Sequence, residues 1–150
     1  MSMSYWIING VGLNADEIIP YLNPEKTAMF LIEQLHSEPE IVFALTQMLS
    51  SGNFSEFDID DFLYGGPFDN FADLLTHCDD TDSITYGDDG EGGHYFYYPP
   101  SMPWEMRDTE PKSIQEVHER IMAAVQKVTD LDRQQIDNLI DDDLYVVGCG

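Results

Sequence analysis

Between Phe54 and Glu91 the chain carries 12 carboxylates and neither lysine nor arginine. The run reads FSEFDIDDFLYGGPFDNFADLLTHCDDTDSITYGDDGE, with aromatic and aliphatic residues set between the acids. A purely solvated acidic tail has no use for those apolar residues. The pattern therefore demands a fold that buries one side of this segment and leaves the other strongly negative. The whole chain of 150 residues is 43% hydrophobic, enough for a real core despite a formal charge of -23. Self-repulsion at that charge destabilises a compact state.

The charge is unevenly placed. Thr27 to Met106 holds 16 acids and no lysine or arginine, and all six basic residues lie outside it: Lys26, Arg107, Lys112, Arg120, Lys127 and Arg133. A surface of this sign repels nucleic acid and anionic membranes, so neither is expected as a direct partner. A basic protein surface or a cation is the complementary choice. The sequence has no run of 18 apolar residues. Its beginning, MSMSYWIING, lacks the basic and long apolar regions of a signal peptide. A cytoplasmic protein with Cys78 and Cys149 as free thiols is the resulting expectation.

In chain order, Tyr5 to Asn9 reads as a first strand broken by Gly10 and Gly12. Asn14 then caps a short helix, with Glu17 in capping-box position. Asn23-Pro24 opens a helix to about His36, and Ser37 caps the next, to about Leu49. Ser55 is expected to cap a short helix ending at Gly65-Gly66, with a strand at Phe57 to Ile59 as the alternative. Pro67 starts a helix in which Phe68, Phe71, Ala72 and Leu75 form the inner stripe and Asp69 and Asp73 share the outer side. Ser83 to Gly87 and His94 to Tyr98 read as a β-hairpin. The prolines between Tyr98 and Trp104 impose an extended path. Ile114 to Val128 is an amphipathic helix, Thr129 or Asp130 caps a last helix through Ile140, and Leu144 to Val147 is the final strand. The sum is one α+β domain, with a small, mainly antiparallel sheet and several helices on one side.

Several motifs suggest chemistry. Gly10, Gly12 and Ala15 match a dinucleotide fingerprint, but that fingerprint needs a βαβ unit, and here helices follow. The simpler reading is a glycine turn leading into a capped helix. Asp58, Asp60 and Asp61, then Asp79, Asp80 and Asp82, then Asp88, Asp89 and Glu91 could each supply oxygen ligands to a divalent cation. None of these groups follows the EF-hand spacing. His36, His77, Cys78, His94, His118 and Cys149 lack zinc-site spacing, and no metal or cofactor is assigned. No catalytic set is recognisable, so the chain is not expected to be an enzyme.

The acidic face is the strongest signal. Carboxylates four apart on a helix stand about 6 Å apart, close to the spacing of phosphates along a nucleic-acid strand. Asp69 and Asp73 have that separation in sequence, and Asp58, Asp60, Asp61, Asp79, Asp80, Asp82, Asp88, Asp89 and Glu91 extend the row. A fixed array of this kind can fill a lysine- and arginine-lined groove as a nucleic-acid mimic. The expected partner is a basic nucleic-acid-binding protein, such as a CRISPR or restriction nuclease. Alternatively, an adaptor or immunity-type protein binds a basic partner without mimicry. In that reading exposed aromatics, with Tyr95, Tyr97 and Trp104 as candidates, carry the affinity. A divalent-cation-binding protein is the third reading.

The stretch from Tyr97 to Met106, YYPPSMPWEM, followed by an amphipathic helix and a short terminal strand, resembles small acidic proteins of Gram-positive phages and mobile elements. Some proteins of that kind are anti-CRISPR or anti-restriction factors, and the resemblance implies an inhibitor of host defence. It carries over no residue's role.

Overall fold

Tyr5–Asn14 forms one long strand, β1, instead of stopping at Asn9. The computed structural model describes residues 4–99, 111 and 113–150. Gly10 and Gly12 do not break the strand. They let a neighbouring strand approach its backbone closely, which is one of the settings in which a strand accommodates glycine. A Cβ on Gly10 would overlap the Tyr98 carbonyl, and one on Gly12 would overlap the Phe96 carbonyl and Tyr97. Gly10 also takes φ of +137°, a conformation that side chains disfavour.

A 3-10 turn at Ala15–Glu17 follows, where Asn14 accepts from the Asp16 N–H; Glu17 closes no capping box. Helix α1 spans Pro24–Gln34, capped by Asn23. Helix α2 spans Pro39–Ser51 and begins at Glu38 with no side-chain cap from Ser37. It ends at Gly52 in a left-handed conformation. The acidic segment then forms a compact loop. Its 3-10 turn, Ile59–Phe62, is capped by Asp58, and Ser55 starts no helix. Ile59, Phe62, Leu63 and Phe68 are buried beneath it. Helix α3 is Phe71–Cys78, four residues later than Pro67 suggests, because Asn70 is the residue that caps it. Phe71, Leu74, Leu75 and Cys78 give it a buried stripe at helical spacing.

The hairpin strands are β2, Thr85–Asp88, and β3, His94–Tyr98. Helix α4, Ile114–Gln126, buries Val117, Ile121, Ala124 and Val125, close to the expected stripe. Helix α5, Arg133–Leu139, opens at Asp132 with a complete capping box to Gln135. Strand β4, Asp141–Cys149, is more than twice as long as Leu144 to Val147. The fold is α+β, with one antiparallel sheet in the order β2-β3-β1-β4. Val11, Leu13 and Phe96 project from one sheet face into the core shared with α3 and α4.

The sheet is strongly coiled, and its two outer ends meet at one corner. The Cys149 N–H at the end of β4 donates to the Asp89 carbonyl at 3.1 Å. The Trp6 indole N–H donates to the Asp88 carbonyl at 2.7 Å. Gly90, Gly148 and Gly150 leave room for the indole ring, which a Cβ at any of the three would crowd.

The tight β1–β3 approach yields a direct test. Gly12→Ala should cost about 2–3 kcal/mol through overpacking, read as a lower urea midpoint. An unchanged midpoint would mean that β3 does not sit this close.

Candidate functional site

The carboxylates of the acidic segment divide into two groups by what their oxygens touch. The first group holds the loops together. Asp79 is buried, and its oxygens accept from the Thr81, Ser83 and Ile84 N–H groups and from the Thr81 hydroxyl. Asp89 accepts from the Glu91 and Gly93 N–H groups, and these bonds hold its carboxyl below the usual carboxylate range. Asp73 accepts from the Asp69 N–H at 2.9 Å, with a side chain only 14% exposed.

That last bond overturns the expected pairing of Asp69 with Asp73. Asp69 precedes α3, so the two never share a helical face. Asp73 turns back to cap the chain before its own helix. Asp69 instead accepts from the Tyr86 hydroxyl at 2.8 Å.

The second group faces outward. Glu56, Asp58, Asp60, Asp61, Asp69, Asp82, Asp88 and Glu91 are exposed and form no ion pair among the described residues. Asp58 and Asp88 each spend one oxygen on a nearby backbone N–H. Asp80 is different, since Lys127 Nζ lies 2.6 Å from it.

Part of this surface is one neighbourhood around the β2–β3 hairpin. Asp16 and Asp60 lie close enough to Tyr64 to raise its pKa further beyond the effect of burial. The hydrogen bond to Asp69 is the chief cause that pushes Tyr86 up to about 12, aided by burial and by Asp73 and Asp88. Burial raises Tyr95 first, and Asp89, Asp16 and Glu17 add to it. Asp16 reaches across from the turn after β1 to bind His94 through both its backbone N–H and its ring Nδ1. The Tyr64 and His94 rings lie 5.7 Å apart. Tyr64 is 58% exposed and sits at φ of +55°, where a tyrosine is rare.

Tyr95 and Tyr97 share the sheet face opposite Phe96, as alternation requires, and both are half-buried. Tyr97 lies over Gly12 and Gly87, so it fills the coil of the sheet. Trp104 lies outside the described residues. Tyr64, Tyr86 and the Asp16–His94 pair escape sequence reasoning because their partners are distant in the chain. The adjacent Gly65-Gly66 is the one local signal, marking Tyr64 as a loop-tip residue.

Metal and nucleotide readings gain nothing from the geometry. Among the described residues, no three His, Cys, Asp or Glu side chains converge on a metal position. Burial pushes the Cys78 thiol up to about 12. Gly10 and Gly12 lie within a strand, not in a strand-to-helix turn. No described helix is long and apolar enough to cross a membrane. No family model, curated protein or solved structure matches the chain significantly.

One further polar cluster stands apart from the acidic loops. His118 on α4 sits between Asp137 of α5 and Asp142 of β4, with Nδ1 2.8 Å from Asp137 and Nε2 on Asp142. Burial works against charging the ring, but the bonds to Asp142 and Asp137 outweigh it and raise the pKa. A folded-state pKa above the unfolded value of about 6.5 adds stability that is complete below that pH. The contribution disappears as pH rises through the raised value. Urea midpoints of the wild type should therefore fall relative to those of His118→Gln as pH rises above about 6.5. Parallel pH profiles would remove the ion triad from the account.

Proposed function

We propose that this protein binds a basic protein through its acidic hairpin and loop surface, and that it occupies a lysine- and arginine-lined groove otherwise filled by nucleic acid. It acts as a competitor in the cytoplasm and performs no chemistry of its own. A defence nuclease of the CRISPR or restriction type is the target that its charge and its phage-like sequence style suggest.

The observation that carries this reading is the placement of the cations. Each of the four described lysines and arginines is held by a carboxylate: Lys26 by Asp130, Arg120 by Glu116, Lys127 by Asp80 and Arg133 by Glu119. Three of these four acids lie outside residues 54–91, so among the described lysines and arginines Lys127 alone neutralises an acid of that segment. Loops pinned by carboxylate-to-backbone bonds hold the outward acids in defined positions, which a mimic requires. Steering by such a surface speeds association, and a groove that sheds counterions to bind DNA sheds them equally for fixed carboxylates.

The adaptor reading keeps one specific support, the exposed and conformationally strained Tyr64 among carboxylates. An aromatic side chain in that position can anchor a partner's arginine. The two readings differ in which variant abolishes binding.

Displacement of labelled duplex DNA from Cas9-type and restriction nucleases, followed by fluorescence anisotropy at low salt, tests the proposal. Asp60→Asn, Asp61→Asn and Glu91→Gln combined should weaken competition roughly tenfold, at about 0.5 kcal/mol per exposed pair, with thermal stability unchanged. Competition that survives this triple change but is lost in Tyr64→Ala would favour the adaptor. A wild-type protein that displaces DNA from no basic nuclease would refute mimicry.

A further inference from the structure

Strand β4 ends the sheet, and no described strand lies beyond it. The phase of its bonds follows from its far end, where Ser4 and Gly150 exchange both backbone hydrogen bonds, at 2.8 and 3.0 Å. In an antiparallel pair, such exchanging positions alternate with positions whose peptide groups point away. Trp6 with Gly148 and Ile8 with Val146 are therefore inward pairs. Tyr145, Val147 and Cys149 turn their N–H and C=O groups to the outer edge.

Both ends of this edge are already closed. At one end the Cys149 N–H donates to the Asp89 carbonyl, and the Gly90 backbone lies against the Cys149 carbonyl. At the other the register shifts, so that Asp142 and Asp143 together oppose Val11 alone, a bulge of the kind that blunts an edge. Between them, the outward peptide groups of Tyr145 and Val147 meet no backbone partner among the described residues. The side chains of this short window are apolar and uncovered. Ile7 pairs directly with Val147 across the ribbon, and Tyr145 stands on the same face. They are 55%, 54% and 63% exposed.

Acids flank the window on both sides. Asp88, Asp89 and Glu91 belong to the loop that closes one end. Asp142 and Asp143, with Asn9 and Tyr145, line a shallow depression at the other. Asp142 also holds His118, whereas Asp143 is exposed and forms no ion pair among the described residues. We propose that this window accepts a short extended segment of a basic protein as an added antiparallel strand, apolar at its centre and cationic at each end. Three guest residues are enough, since the first and third exchange backbone bonds with Val147 and Tyr145 and so meet all four outward groups. Apolar side chains at those two positions lie beside Tyr145 and Val147. A guest this short turns away before the Asp89–Gly90 backbone. Its leading lysine or arginine falls near the Asp88–Glu91 loop, and its trailing one enters the depression at Asp142 and Asp143, where carboxylates strengthen the bond. A second copy of this chain does not fit, because its own Asp141–Asp143 run would meet the acidic loop.

Fluorescence anisotropy with the labelled peptide Lys-Arg-Val-Thr-Val-Ser-Arg-Lys tests the proposal. The same peptide N-methylated at both valines keeps its charge and side chains but loses the two donors that face β4. It should bind about tenfold more weakly, or worse, as two lost backbone bonds imply. Val147→Pro removes an outward N–H and no ladder bond, as proline on an edge strand allows. It should weaken the unmodified peptide to a similar degree, with circular dichroism unchanged. Tyr145→Lys, which sets a cation against the guest and leaves the backbone intact, should do the same. No binding of the unmodified peptide up to about 1 mM would overturn the proposal. Equal binding of the N-methylated peptide would overturn it in favour of charge alone. Undiminished binding by both protein variants would place the peptide elsewhere and overturn it too. So would a wild type that sediments as a dimer and excludes the peptide, which would put a second copy at the edge. None of these outcomes depends on DNA competition, because the peptide assay contains no nuclease and the variants leave Asp60, Asp61 and Tyr64 in place.

Discussion

Bonds from carboxylates to backbone N–H groups are the constraint on which the acidic half of this protein depends. A loop-rich segment with this much charge has few ladder bonds to fix it, and its own side chains supply the missing acceptors. Asp58, Asp73, Asp79 and Asp89 each close a turn or cap an element. Hydrogen bonds to an ionised acceptor contribute about 1.5–3 kcal/mol, roughly twice the neutral value. The same residue type thus builds the loops and decorates them. The outward acids keep their places because the inward ones hold the backbone beneath them.

This division explains what could and could not be read from the chain. The stripe of α4 was legible because Val117, Ile121 and Ala124 repeat at helical spacing around a solvated face. The hairpin was legible, to within two residues, from its aromatic and β-branched runs around a glycine-rich turn. The alternation of Tyr95 and Tyr97 against Phe96 followed from strand geometry. By contrast, Asp79 and Asp82 look alike in sequence, yet one is buried with its oxygens satisfied and the other lies in solvent. Which aspartate caps and which is displayed is decided by where neighbouring N–H groups point, and that is a tertiary property. The pairing of Asp69 with Asp73 failed for the same reason, since Asn70 set the start of α3.

The glycines of β1 misled in another way. A lone sequence marks Gly10 and Gly12 as breaks, because glycine weakens a strand taken by itself. Their role appears once β3 is in place, with the carbonyls of Tyr98 and Phe96 lying where side chains would otherwise be. The length of β4 was hidden similarly. Asp141 to Asp143 disfavour a strand locally, and it is the ladder to β1, together with the His118 bond to Asp142, that extends it.

The β1–β4 ribbon also governs the order of events during synthesis. Residues Tyr5 to Gly10 emerge early, but their partner strand is translated last of all the described elements. Pairing between such distant segments is slow, because a long loop must close before any contact rewards it. Until then Trp6, Ile7 and Ile8 stand open on a nascent chain whose remaining surface repels its neighbours. The dense negative charge made in between adds repulsion between such open chains during that wait.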